Sequence, residues 1–170
     1  MPDHLRRLLS RHEPKRSLLQ QIKAVLGAVI GLGIVGMLAA VTSMPLLFAP
    51  LGPTALLVFA EPEMPTAQPV NVMAGYFIAT TFATLAEIWL PGAWWGAIFA
   101  VGLTMTLMLL LRVTHPPAVS VPLVVLSSPQ DPVRLFVVLL AGCTVLLLVA
   151  ALHHRLPPRA RYPWSPESET

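Results

Sequence analysis

The chain has 170 residues, of which 11% are charged and 55% hydrophobic, with 18 prolines, one cysteine and a mean hydropathy of +0.72. Soluble domains carry roughly a quarter of their residues as charges, so the composition excludes one. A lone cysteine excludes an internal disulfide scaffold, and the apolar content excludes a disordered chain. What remains is an all-α polytopic membrane protein with one transmembrane domain.

The formal charge of +3 is informative only when sorted by position. Residues 1–23 form a basic tail with Arg6, Arg7, Arg11, Lys15, Arg16 and Lys23 against Asp3 and Glu13, and residues 153–170 form a second tail with Arg155, Arg159 and Arg161. Residues 24–111 contain no lysine or arginine. Under the positive-inside rule both termini are expected in the cytoplasm of a bacterial-type inner membrane, which demands an even number of crossings. The same basic cluster also suits RNA or anionic lipid, but the bare middle favours topology, so lipid and not nucleic acid is the expected partner.

In chain order, residues 24–44 are free of charge and long enough, at about 1.5 Å per residue, to cover the roughly 30 Å hydrocarbon core. Residues 70–90 and 93–111 form a helical hairpin around Pro91-Gly92, a turn signal, with Trp89, Trp94 and Trp95 at the membrane boundary. The last span covers residues 133–152. Two apolar stretches are not ordinary spans: residues 46–60 contain Pro50 and Pro53, and residues 117–126 give only about 15 Å of helix.

These short segments occupy equivalent places in a two-fold internal repeat, about residues 24–90 and 93–152. A shift of 63 residues lays Pro53 on Pro116, Ala55 on Ala118, Val58 on Val121 and Pro69 on Pro132. Segment length favours four transmembrane helices plus two proline-led re-entrant half helices. The alternative is a six-crossing inverted repeat, in which each broken segment passes right through.

Arg112-Val113-Thr114-His115-Pro116-Pro117-Ala118 is the most specific motif. A residue before proline is biased away from helix, and proline is well tolerated in a helix's first turn, so the chain breaks at His115 and restarts. Gly52-Pro53-Thr54 does the same in the first copy. A helix starting inside a membrane presents unpaired N–H groups and a positive dipole end, a ready anion site. The expected substrate-binding residues are His115, Thr114, Pro116, Pro117, Ser120, Gly52, Pro53 and Thr54, with Gln68, Asn71 and Arg112 at the entrance or in support. The competing reading makes the prolines simple kinks and His115 a packed structural group.

The segments Leu51-Gly52-Pro53-Thr54-Ala55-Leu56-Leu57-Val58-Phe59, Ala67-Gln68-Pro69-Val70-Asn71-Val72 with Gly75, and Thr114-His115-Pro116-Pro117-Ala118 resemble the HPP family of integral membrane proteins. The resemblance covers about residues 20–155 and implies four transmembrane helices. It also implies transport of a small anion, since plastid members are associated with nitrite. The chain departs from the family's usual pattern at Pro53-Thr54, where Ala-Ser is usual, at Val119-Ser120, where Gly-Ala is usual, and at Tyr76, where histidine is usual.

Gly31-Leu32-Gly33-Ile34-Val35-Gly36 spells a dinucleotide fingerprint but lies mid-span, with no acid about 20 residues beyond. Its glycines instead form a small-residue face for packing within the subunit or for a homo-oligomer through residues 24–44. Glu87 reads as an interfacial acid, His153-His154 as a helix end, and Cys143 as an apolar filler. No nucleophile set, phosphate loop or metal cluster is present in the sequence, so neither enzyme activity nor any cofactor is expected. Two functions follow: a small-anion transporter or channel, or a non-transporting membrane scaffold or regulatory subunit.

Overall fold

The computed structural model describes residues 15–42 and 48–164, so Arg6, Arg7, Arg11 and the end of the first expected span, at residue 44, lie outside the described residues. Among the described residues six α-helices occur and no strand. They are α1 (Leu18–Thr42), α2 (Leu51–Ala60), α3 (Pro69–Trp89), α4 (Trp94–Leu111), α5 (Val121–Ser127) and α6 (Pro132–His153). Short 3-10 turns, Pro65–Ala67 and Pro116–Ser120, precede α3 and α5. Helices α1, α3, α4 and α6 are long and apolar enough to cross a membrane.

Helix α1 begins six residues before the expected span because Ser17 and Gln20 cap it reciprocally. The Gln20 N–H donates to Ser17 Oγ at 3.3 Å and the Ser17 N–H to Gln20 Oε1 at 3.0 Å. This is a capping box, which satisfies two of the donors a helix start leaves open. Lys23 is thereby drawn into the helix. Its ammonium reaches out of the apolar zone to donate to the carbonyls of Leu156 (2.6 Å) and Pro158 (2.5 Å), tying α1 to the C-terminal tail.

Helix α3 is central, packed against α4, α5 and α6. The α3–α4 turn is made by Gly92, whose φ of +70° is a conformation that favours glycine. Gly27 and Gly31 let α1 approach α2 and α6 closely: a Cβ on Gly27 would lie 2.6 Å from Phe59 Cδ1, and one on Gly31 2.9 Å from Leu146 Cδ1. These two glycines therefore serve packing inside the subunit. Gly33, also on the expected oligomer face, has nothing near it.

The contacts fix which helix ends lie together. Phe59, near the end of α2, packs on Gly27 near the start of α1 and edge-on against His153 at the end of α6. Arg16 pairs with Glu61, Tyr162 Oη donates to Ala67 O at 3.0 Å, and Asn71 Nδ2 donates to Thr114 O at 3.2 Å. One face, called here the near face, thus gathers the start of α1, the ends of α2, α4 and α6, and the start of α3. At the far face, Pro122, Val125 and Leu126 of α5 adjoin Ala86, Glu87 and Leu90 at the end of α3.

Among the described residues, α2 ends at the near face, and residues 112–127 lead from the near end of α4 to the far face. In the second segment residues 113–115 and the Pro116–Ser120 turn lengthen the path beyond the roughly 15 Å that about 10 helical residues rise.

Candidate functional site

The two breaks meet deep in the bundle. Proline at 53 holds the first turn of α2 so that Thr54 faces inward, and the Pro116–Ser120 turn presents His115 opposite it. Thr54 Oγ1 lies 2.9 Å from His115 Nε2 and 2.8 Å from Tyr76 Oη, and all three residues are fully buried. His115 Nδ1 lies 2.7 Å from the carbonyl oxygen of Thr66. A carbonyl only accepts, so Nδ1 carries a proton and, in the neutral ring, Nε2 accepts. The Thr54 hydroxyl then donates to Nε2, and the Tyr76 hydroxyl donates to Thr54 Oγ1. The result is a directed chain: Tyr76 to Thr54 to His115 to Thr66.

Thr54 Oγ1 also lies 3.1 Å from the carbonyl oxygen of Pro50. One hydroxyl proton cannot serve both Pro50 and a neutral His115. If the imidazole is protonated, Nε2–H donates to Thr54 and the Thr54 hydroxyl turns to Pro50 O. Thr54 therefore has two ready partners, selected by the proton on His115.

Gly75 makes the close approach possible. A Cβ there would lie 2.7 Å from His115 Cβ, so α3 and the His115 loop touch with no room for a side chain.

The structure brings together His115 and Thr54 of the expected site residues, and it adds Tyr76, which sequence reasoning noted only as a departure from the family. Thr114 contributes its carbonyl, held by Asn71. Pro116 and Pro117 shape the turn, and Ser120 Oγ bonds back to Pro117 O at 2.8 Å, within that turn. Gly52 and Pro53 start α2. Arg112 caps α4 with a φ of +57° and is exposed. Gln68 ties loops together: its Nε2 donates to Pro62 O and Met64 O, and its Oε1 accepts from the Trp164 N–H at 2.8 Å.

The amide donors expected at the half-helix starts are occupied. The N–H of Leu51 donates to Phe48 O, that of Gly52 to Ala49 O, and that of Thr54 to Pro50 O, while Pro53 has none. At the second break Pro116 and Pro117 have no N–H, and that of Ala118 donates to His115 O. The donors left to serve a ligand are side chains, not helix N-termini.

At the near face a cavity of about 530 Å³ is lined by Arg16, Lys23, Glu61, Glu63, His153 and Arg159, among others. His154, just beyond α6, closes one wall, with its Nε2 2.9 Å from Val58 O. Burial holds the His154 imidazole below its ordinary pKa of 6.5; the Val58 carbonyl opposes this and Lys23 adds to it. The unfolded chain then binds the proton more readily than the folded one, so stability is full above about pH 6.5 and falls as the pH drops toward the folded value. Thermal unfolding of the purified protein is expected to lose more between about pH 7.5 and about pH 5.5 than that of the His154→Gln variant.

Comparisons with known proteins agree with the architecture. A transmembrane protein of Dictyostelium discoideum is 26% identical over 130 residues, 71% of this chain and 45% of the relative. A second transmembrane protein of the same organism is 25% identical over 118 residues, 65% of this chain and 38% of the relative. The chain thus spans less than half the length of these curated relatives. No solved structure matches. The family described as the HPP transmembrane region matches residues 13–163, a stretch that contains all six helices, and the chain belongs to that family.

Proposed function

We propose that this protein is a small-anion transporter or channel of nitrite-like substrates, working as an inverted repeat. The first unit is α1, α2 and α3; the second is α4, the Pro116–Ser120 turn with α5, and α6. Corresponding helices run in opposite directions, as in transporters that rock one repeat against the other around a fixed site. The near face, with its basic residues, is the cytoplasmic one.

The observation that carries this reading is the Thr54–His115 contact, which links the two breaks across a separation of 61 residues. In the closed form these groups spend their hydrogen bonds on one another. When the two halves separate, the Thr54 and Tyr76 hydroxyls and the His115 ring become free donors for an anion, and the cavity at the near face is its entrance. Buried polar groups need such partners, because an unmade hydrogen bond costs about 1–3 kcal/mol.

The test is nitrite influx into liposomes holding the purified protein, with chloride and sulfate for comparison. Nitrite flux well above that of protein-free vesicles is expected. Absence of flux for every anion would favour the scaffold function instead.

A further inference from the structure

The threonines of the spanning helices are handled in two ways. Thr81, Thr106 and Thr144 each donate to the carbonyl four residues back, at 2.8, 2.8 and 2.7 Å. Thr80, Thr84 and Thr104 do not: their hydroxyl oxygens are buried and have no partner among the described residues. Thr80 and Thr104 are fully buried. Back-bonding to the helix is available to any threonine in a helix and satisfies the hydroxyl where no water reaches. Three interior hydroxyls that forgo it are held free for something else.

Their placement is ordered. Tyr76, Thr80, Thr84 and Glu87 recur on α3 at i, i+4, i+8 and i+11, within one face of the helix. Thr80 on α3 and Thr104 on α4 stand equally far along the chain from Gly92, and so at similar depth. Glu87 borders a cavity of about 10 Å³ shared with Pro122 and Val125 of α5. That is roughly the room of one water molecule. The stripe starts at the Tyr76–Thr54–His115 chain and ends at the far face.

We infer that Tyr76, Thr80, Thr84 and Glu87, with Thr104, form a proton-conducting file between His115 and the far face, filled by water between the free hydroxyls. In one passage water at the far face gives a proton to Glu87 as Glu87 passes one into the file, each water and hydroxyl along the file takes one proton and releases one, and His115 Nε2 receives one as Thr54 turns to Pro50. The net change is one proton taken from water at the far face and one imidazolium formed at His115, with every intervening group restored. Release of the Nδ1 proton to water at the near face, followed by return of the ring to its Nδ1–H tautomer, completes the transfer. The inference rests on the reading of this chain as a transporter, and would make its anion flux proton-coupled, but it is tested separately.

The experiment imposes a potassium diffusion potential with valinomycin on liposomes containing the full chain and follows an internal pH dye, with nitrite counterflow measured on the same preparations. Wild-type vesicles are expected to acidify at least tenfold faster than protein-free ones. The Thr80→Val/Thr104→Val variant should fall to within about twofold of the protein-free rate while keeping nitrite counterflow. Valine has the shape of threonine and breaks no hydrogen bond here, so its melting temperature should be unchanged or higher; Thr81→Val serves as the lipid-side control and should conduct as wild type. Wild-type acidification no faster than protein-free vesicles, or equal proton flux in the double variant, would overturn the file. Proton flux without nitrite flux would uphold it and sink the anion reading instead.

Discussion

Replacing His115 with alanine is expected to reduce nitrite flux by at least tenfold while leaving the protein in the membrane. His115 is fully buried and supplies one half of the contact between the two breaks. Its removal leaves the Thr66 carbonyl without its donor and opens a cavity beside Gly75, while the Thr54 hydroxyl turns to the Pro50 carbonyl. The orphaned carbonyl costs about 1–3 kcal/mol and the cavity adds to it, so a loss of stability on the order of 2–4 kcal/mol is expected with the flux defect. The four long apolar helices do not depend on the histidine, and insertion should continue. The check pairs flux with thermal unfolding in detergent. Full flux in a well-inserted variant would remove His115 from the transport site.

Gly75→Ala tests the same place from the opposite side, by adding an atom. The new Cβ would meet His115 Cβ at 2.7 Å and Met108 Cε at 3.4 Å. Methionine can swing its terminal methyl aside, but a Cβ is fixed by its backbone, so α3 and the His115 loop must part. Alanine gains up to about 1 kcal/mol over glycine in a helix, and overpacking costs about 1–3 kcal/mol, so the clash outweighs the propensity. Net destabilisation on the order of 1 kcal/mol is expected, with flux reduced severalfold as His115 leaves Thr54. Gly33→Ala, with nothing within 4 Å, is the control and should be neutral or stabilising.

Much of the fold was legible because a bilayer imposes simple rules. A charge-free run of about 20 residues spans, Pro91-Gly92 turns, and prolines break helices; the four long helices follow from these alone. The start of α1 was hidden because Ser17, Gln20 and Lys23 are polar, and only the capping box and the lysine's tie to the tail explain their place in a helix. The path of the broken segments was hidden for a different reason. Sequence shows where a helix stops, but not which face of the bundle the chain reaches after the break.

The site was half legible. His115 and Thr54 stood out because each sits at a proline-marked break, but their pairing joins residues 61 apart, which no local pattern encodes. The expected amide donors were a reasonable inference from a helix start, undone by turns that use those N–H groups locally. Tyr76 carried one clue, as an aromatic hydroxyl within a helical stripe ending at Glu87. Contacts between the tail and the 61–68 linker, such as Tyr162 to Ala67 and Trp164 to Gln68, join irregular segments and leave no periodic trace.

The account turns on both broken segments passing through the membrane, since only then do the two units run in opposite directions and their breaks face each other. Thiol labelling from each side of sealed vesicles tests this directly, using Glu63→Cys and Gln130→Cys in a background where the native buried cysteine is removed by Cys143→Ala. Glu63→Cys should react from the side that holds the termini, and Gln130→Cys from the opposite side. Reaction of both from the side opposite the termini would mean that the segments re-enter, and would contradict the account.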